Sequence, residues 1–461
     1  MMAEARPFFR TSLIALLLAF IAAFTSPVAR SQEAPPPAED VADDEDAPAA
    51  RSQPSPSLVC DPDNGGLTLP PGFCALVVAD NVGRARHLVV RRNGDLYVAV
   101  NPAPDGSDPG RLLALRDLSR DGRADVVETI AEVGGNGVAL DVAQRFLYFA
   151  QNDRVVRYRL RGNALLPDGP PAVIVSGLPA DGDHRSKTIV LDGRGGFFLN
   201  IGSASNTCQV ENRVPFSPGV DPCPELAVRA GVWRFSDRPG QTQANGVRFA
   251  SGLRNMVALA RQPRTGQLWG VQNGRDQLFE NWPTLFTEED DREAPAEEVI
   301  RIFPGRNNGW PYCYEDPRLG SGGDKVLAPE YGGDGTERGR CAAIPDSPLD
   351  LPAHWAPLSM LFYTGRQFPD SYRRDAFVTS HGARFPGPAE GPGYNVTRIR
   401  FRDGRPISRE TFADGFTGGA TDLPAGAAHR PVGLAQGPDG SLYITSDHND
   451  GRIWRVIYRR P

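Results

Sequence analysis

Pro431-Val432-Gly433-Leu434, followed shortly by Asp439-Gly440-Ser441-Leu442-Tyr443-Ile444-Thr445, reads as one strand, a tight turn and a second, aromatic-tipped strand. Asp-Gly between two apolar runs is a hairpin signal, because glycine supplies the backbone angles that the turn requires. The unit recurs. His87-Leu88-Val89-Val90 precedes Asn93-Gly94-Asp95-Leu96-Tyr97-Val98, and Gly137-Val138-Ala139-Leu140 precedes Arg145-Phe146-Leu147-Tyr148-Phe149. Thr188-Ile189-Val190-Leu191 precedes Gly195-Gly196-Phe197-Phe198-Leu199, and Met256-Val257-Ala258-Leu259 precedes Gly266-Gln267-Leu268-Trp269. A degenerate copy runs through Arg374-Asp375-Ala376-Phe377-Val378-Thr379. Around six such units, with no convincing amphipathic helix, predict an all-β fold: a six-bladed β-propeller over 58–461. At roughly 65 residues per unit, against the ~40 to 50 of compact propeller repeats, insertions must lie between the blades. The segments 208–223 and 313–341 are the obvious ones. The early run Cys74-Ala75-Leu76-Val77-Val78 is placed to close the ring beside Arg452-Ile453-Trp454-Arg455-Val456.

Composition agrees with many turns between short strands: the 461 residues include 50 glycines and 43 prolines. A formal charge of -6 gives no basic face for nucleic acid. Residues 1–31 read as an export signal, with Arg6 and Arg10 before the apolar run Leu13–Phe24 and small residues at Ala29 and Ser31. Residues 32–57 are Pro-, Ala- and acid-rich and read as a disordered tether. No other stretch could cross a bilayer, so a periplasmic or secreted protein without a span after signal cleavage is expected. Six cysteines can pair in 15 ways, and sequence alone does not choose. They fall into three local couples, Cys60/Cys74, Cys208/Cys223 and Cys313/Cys341, each flanking a loop-like segment. Three loop-stapling disulfides in an oxidising compartment are the expectation. Zinc is the weaker option, and no Cys-x-x-Cys-His haem motif occurs.

A propeller gathers the loops at one end of its central channel. Those loops include Asp183-His184-Arg185-Ser186-Lys187, Ser251-Gly252-Leu253-Arg254-Asn255, Gln272-Asn273-Gly274-Arg275-Asp276, Ser380-His381-Gly382-Ala383-Arg384 and His429-Arg430. His184 is a candidate general base, since an imidazole titrates near ~6.5 and small shifts bring it to working pH. Asp183 could hold its ring, and the arginines, with Lys187, suit a ligand carrying several carboxylates. His87 and His354 read as structural, and His429 as a loop residue or a ligand neighbour. The runs Asp439-Gly440 and Asp447-His448-Asn449-Asp450-Gly451 read as turns in preference to a calcium loop.

Gly182-Asp183-His184, Gly252-Leu253-Arg254-Asn255, Asn273-Gly274-Arg275-Asp276, Asn308-Gly309-Trp310-Pro311-Tyr312-Cys313, His381-Gly382 and Arg430-Pro431-Val432-Gly433 follow one another at matching places in successive units. In that order they resemble the pyrroloquinoline-quinone-dependent sugar dehydrogenases, the glucose/sorbosone dehydrogenase family, over most of 70–458. The Tyr312-Cys313 version of the Gly-Trp-Pro motif is nearer the sorbosone and aldose branch. The resemblance implies oxidation of an aldose or sugar aldehyde, with His184 taking the hydroxyl proton and Asp183 setting its orientation. It implies that Arg254 and Asn255 meet the quinone oxygens, where negative charge develops. It places Ca²⁺ on main-chain carbonyls at Gly274 and Arg275, and a cofactor carboxylate at Arg430. Lys187, His381 and Arg384 are implied as further cofactor neighbours. Electrons would pass to an external acceptor, a cytochrome or a quinone.

The chain departs from that family twice. Gly135 stands where a glutamine is expected, and Ser203 where an aspartate is expected. Two rivals therefore stay open: a calcium-dependent lactonase on a similar propeller, and a sugar-binding propeller without catalysis.

Overall fold

The computed structural model describes residues 58–459 apart from 321, 385 and 386. The expected export signal and tether lie outside the described residues.

Six antiparallel four-stranded sheets follow one another along the chain as the blades of a propeller. The first is built from Ala85–Val90, Leu96–Val100, Arg111–Arg116 and Val126–Ala131. The second runs from Gly137–Leu140 to Ala172–Ser176, with the two-residue strand Gln241–Thr242 added in parallel at its edge. The third spans Ile189–Leu191 to Val247–Ser251, the fourth Ala258–Arg261 to Asp350–Leu351, and the fifth Pro357–Phe362 to Arg405–Ala413. The sixth takes three strands from the C-terminus and its outermost from the N-terminus: Phe73–Asp80 pairs with Arg452–Tyr458, from Phe73↔Tyr458 to Asp80↔Arg452. This closure is the one expected from the sequence. Each repeated unit supplies the first and second strands of a blade, except the degenerate copy at Arg374–Thr379, which supplies only the second strand of the fifth.

Second strands such as Leu96–Val100, Ala376–Ser380 and Leu442–Ser446 are buried throughout. Both of their faces meet a neighbouring blade, so they read as continuous apolar runs without alternation. The core is accordingly laid between blades. Leu88, Val98 and Leu113 of the first pack with Tyr443 and Ile453 of the sixth.

Near the axis, threonine hydroxyls tie three of the blades to the next. Thr188 Oγ1 donates to Val257 O (2.8 Å), Thr379 Oγ1 to Val432 O (2.5 Å) and Thr445 Oγ1 to Arg86 O (2.6 Å). The first strands approach so closely that a Cβ on Gly433 would sit 2.3 Å from Arg86 O. His87 Nε2 reaches Leu358 O across the ring (2.7 Å), which makes it structural, as expected. Burial lowers its pKa to about 4.

The three cysteine couples form the expected disulfides, Cys60–Cys74, Cys208–Cys223 and Cys313–Cys341. The insertions differ from expectation in position. They lie within blades: 208–223 joins the second and third strands of the third blade, and 313–341 precedes the last strand of the fourth. The latter contains a hairpin of its own, Cys313–Asp316 with Asp324–Leu327. Long loops on these edges lengthen the repeat without disturbing the ring. Among the described residues no helix is long and apolar enough to cross a membrane.

Candidate active site

A cavity of about 670 Å³ opens at one end of the axis, where the loops of several blades meet. Six arginines line it (Arg84, Arg86, Arg213, Arg254, Arg384 and Arg430) against four carboxylates, Asp183, Asp276, Glu297 and Asp447. The chain as a whole is acidic and this cavity is cationic, so its field selects an anionic ligand.

His184 sits on the loop before the third blade's first strand and packs onto the turn after its second. A Cβ on Gly202 would lie 2.6 Å from both His184 Cβ and His184 O, so only glycine admits this approach. His184 Nδ1 lies 2.8 Å from Ser203 Oγ and 3.2 Å from Ser203 O. A carbonyl only accepts, and Ser203 Oγ spends its own proton on Ser205 O (2.7 Å). The proton is thereby assigned to Nδ1, and Nε2 carries the lone pair. Burial, then the charge of Arg254, holds the imidazole pKa well below its ordinary value. The ring is held neutral.

Arg254 is 3% exposed and uses its whole guanidinium. It donates to Gly274 O (2.6 Å), Asn206 O (3.2 Å), Asn206 Oδ1 (2.9 Å) and Asp276 Oδ2 (2.9 Å). Its backbone carbonyl accepts from Ser203 N (2.8 Å), so base and guanidinium are held by the same serine. Asn255 lines the cavity beside it with a buried, partnerless Oδ1. Glu297 accepts from Gly274 N (2.7 Å) and Ala356 N (2.8 Å), and burial pushes its pKa up to about 7.

A second polar chain holds the opposite side. His381 Nε2 meets Asp447 Oδ1 (2.7 Å), Arg86 Nη1 donates to Asp447 Oδ2 (2.7 Å), and Arg86 Nε donates to Asn136 Oδ1 (2.9 Å). Burial lowers the His381 pKa to about 4. Burial alone would raise that of Asp447, but His381 and Arg86 hold it well below the carboxylate range. Arg430 donates to His381 O (3.0 Å) and Gly382 O (2.8 Å). Arg384 lines the cavity from an exposed position.

His184, Asp183, Arg254, Asn255, Gly274, His381, Arg384 and Arg430 are thus brought to one cavity. Three expectations are corrected. Asp183 does not hold the imidazole: its carboxylate takes Arg213 Nε (3.0 Å) and Asn212 Nδ2 (3.4 Å), and Ser203 holds His184 instead. Lys187 does not face the cavity. It is 0% exposed and donates to Pro179 O (2.8 Å) and Arg185 O (2.7 Å), strapping the loop that carries His184. Burial, then Arg229, lowers its pKa to about 7. Arg275 does not line the cavity, although its carbonyl was expected there with that of Gly274; its side chain makes a buried pair with Glu330 (2.6 Å).

Sequence reasoning read His354 as structural and Asp447 as part of a turn, and did not single out Arg86 or Glu297; all four line the cavity. One signal was present. The residues directly after second strands reach the cavity at Asn101, Asn273, His381 and Asp447.

A TrAA12-like family model matches residues 67–459. A Trichoderma reesei structure of carbohydrate-active enzyme family AA12 is 21% identical, with TM-score 0.68, over 85% of this chain and 98% of that one. The holo pyranose dehydrogenase PQQ domain of Coprinopsis cinerea is 20% identical, with TM-score 0.66, over 85% and 97%. The soluble aldose sugar dehydrogenase of Escherichia coli, in its apo form, is 16% identical, with TM-score 0.55, over 84% and 100%. At these identities the likeness shows the fold. An uncharacterized Borreliella burgdorferi protein is 27% identical over 214 residues, 46% of this chain and 48% of that relative, so the match spans about half its length.

Proposed function

The chain belongs to the TrAA12-like family, and from that premise we propose that it oxidises an aldose or sorbosone-like sugar aldehyde using pyrroloquinoline quinone and Ca²⁺. Supporting this are solved propellers of the same fold that carry PQQ or are named as aldose or pyranose dehydrogenases. The observation that carries the reading is His184, whose Nδ1–H is pinned to Ser203 so that a neutral Nε2 is left as proton acceptor in a cationic cavity.

The residues fit the cofactor. Arg86, Arg384 and Arg430 supply cationic groups for carboxylates, and the orphaned Asn255 Oδ1 awaits a donor or a cation. Gly274 O gives one lone pair to Arg254 and keeps the second, as a carbonyl ligand to a hard cation needs. When bound, the quinone would supply a two-electron acceptor and the metal a Lewis acid. The protein's own part is proton chemistry and placement. His184 Nε2 takes the proton of the sugar hydroxyl, and burial keeps the base neutral and ready. Arg254 sets positive charge where an oxyanion develops. Asp183, Arg213 and Asp276 form the polar wall that a sugar would meet beside the base. Electrons leave for an external acceptor, a cytochrome or a quinone. Three disulfides, with the export signal expected from the sequence, support a periplasmic or secreted location.

Among the described residues no group of three His, Cys, Asp or Glu side chains could hold a metal. Reconstitution with the quinone and Ca²⁺, followed by dye reduction over a panel of aldoses and sugar aldehydes, tests the proposal. Lactone hydrolysis without the quinone would replace it, and silence in both assays would leave a binding propeller.

A further inference from the structure

Along the third strand of the fourth blade and past its end, a groove of about 220 Å³ is lined by Glu298, Arg301, Phe303 and Arg306, by Trp269, and by Arg405 from the outer hairpin of the fifth blade. The Arg301 and Arg306 guanidinium carbons lie 4.3 and 4.2 Å from the Phe303 ring centroid. Two like charges are thus gathered on one ring. None of the three arginines makes a side-chain hydrogen bond or ion pair with the described residues. The carboxylates in the lining are already engaged: Glu298 with Lys325, and Asp346 with Arg338 (2.6 Å). Trp269, 2% exposed, carries a buried Nε1–H with no partner.

Every uncommitted polar group named here is a donor, and three of them are cations. The buried, unpaired Trp269 Nε1–H costs about 1–3 kcal/mol, while Arg301 and Arg306 are half-buried and Arg405 is exposed, and guanidinium forks match the oxygens of tetrahedral anions. We infer that this groove binds a phosphate or sulfate group, at a site separate from the catalytic cavity. Its volume equals roughly seven waters at ~30 Å³ each, which leaves room for part of the molecule bearing the ester. The anion is either free or carried on an acidic glycan.

The test titrates the full protein with sodium sulfate by calorimetry, against sodium chloride of matched ionic strength. Saturable binding is expected, weakened at least tenfold in Arg301→Gln/Arg306→Gln and retained in the cavity variant Arg430→Gln. Thermal melts in chloride confirm that both variants fold. Heparin, compared at equal sulfate concentration, identifies the source: a more than tenfold tighter complex that needs Arg301 and Arg306 points to a glycan ester, and equal binding points to the free anion. No saturable signal over chloride overturns the inference. So does loss in Arg430→Gln with retention in the double variant, or heparin binding indifferent to the double variant.

Discussion

Replacing Ser203 tests how His184 is held. Ser203→Ala removes the acceptor 2.8 Å from Nδ1 but leaves Ser203 O at 3.2 Å, so the tautomer survives and only ring placement loosens. A net hydrogen bond contributes about 0.5–1.5 kcal/mol, which corresponds to a fall in kcat of roughly two- to tenfold. Ser203→Asp works the other way. A carboxylate against Nδ1–H favours the imidazolium and opposes Arg254, raising the His184 pKa from its depressed position. The neutral base is present above its folded pKa and lost as pH falls through it. The acid limb of kcat against pH should therefore move upward in Ser203→Asp, by about one unit for each ~1.4 kcal/mol of added interaction. Steady-state kinetics of the reconstituted enzyme over pH 4–9 would read both effects. An unchanged kcat in Ser203→Ala, together with an unmoved acid limb in Ser203→Asp, would refute this assignment of the base and its holder.

Lys187→Met should lower kcat and thermal stability while leaving quinone affinity within about twofold, because the amine bonds two loop carbonyls, each bond worth about 1.5–3 kcal/mol while the amine is protonated, below its pKa of about 7. Collapse of quinone affinity at unchanged kcat would return Lys187 to the cofactor. Cys208→Ser/Cys223→Ser opens a 15-residue loop, for about 3 kcal/mol of lost stability, and frees Arg213 from Asp183 and Asp276, so Tm should drop and KM rise. Burial, then Glu298, raises the pKa values of Asp350 and Glu315 to about 7 and about 8. Raised carboxyls favour the fold below their unfolded values near ~4, and that contribution is lost as pH rises through 7 and 8. Asp350→Asn should therefore raise Tm at pH 9 and do little at pH 4; equal shifts at both would count against a buried acid there.

The ring was legible because each blade begins with a local hairpin. Met256–Leu259 with Gly266–Trp269, and Pro431–Leu434 with Asp439–Thr445, carry turn and apolar signals within a short window. The local disulfides were readable for the same reason. The site depends on contacts that no window spans: Arg86 meets Asp447 across 361 residues, and ring closure alone makes them neighbours. Asp447 lay in a run rich in Asp, Asn and Gly, whose composition favours turns and masked its burial. Ser203 was visible only as a substitution for an expected aspartate, because a serine hydroxyl gives no sequence cue that it will meet an imidazole. Lys187 was misplaced because a charged residue near a cavity loop can turn inward once backbone carbonyls satisfy its amine.

The most direct test is single-turnover oxidation of a reactive aldose by His184→Ala loaded with pyrroloquinoline quinone and Ca²⁺, with quinone affinity measured on the same sample. The expected result is near-normal affinity with sugar oxidation abolished. Oxidation at the wild-type rate would contradict the assignment of His184 as the base.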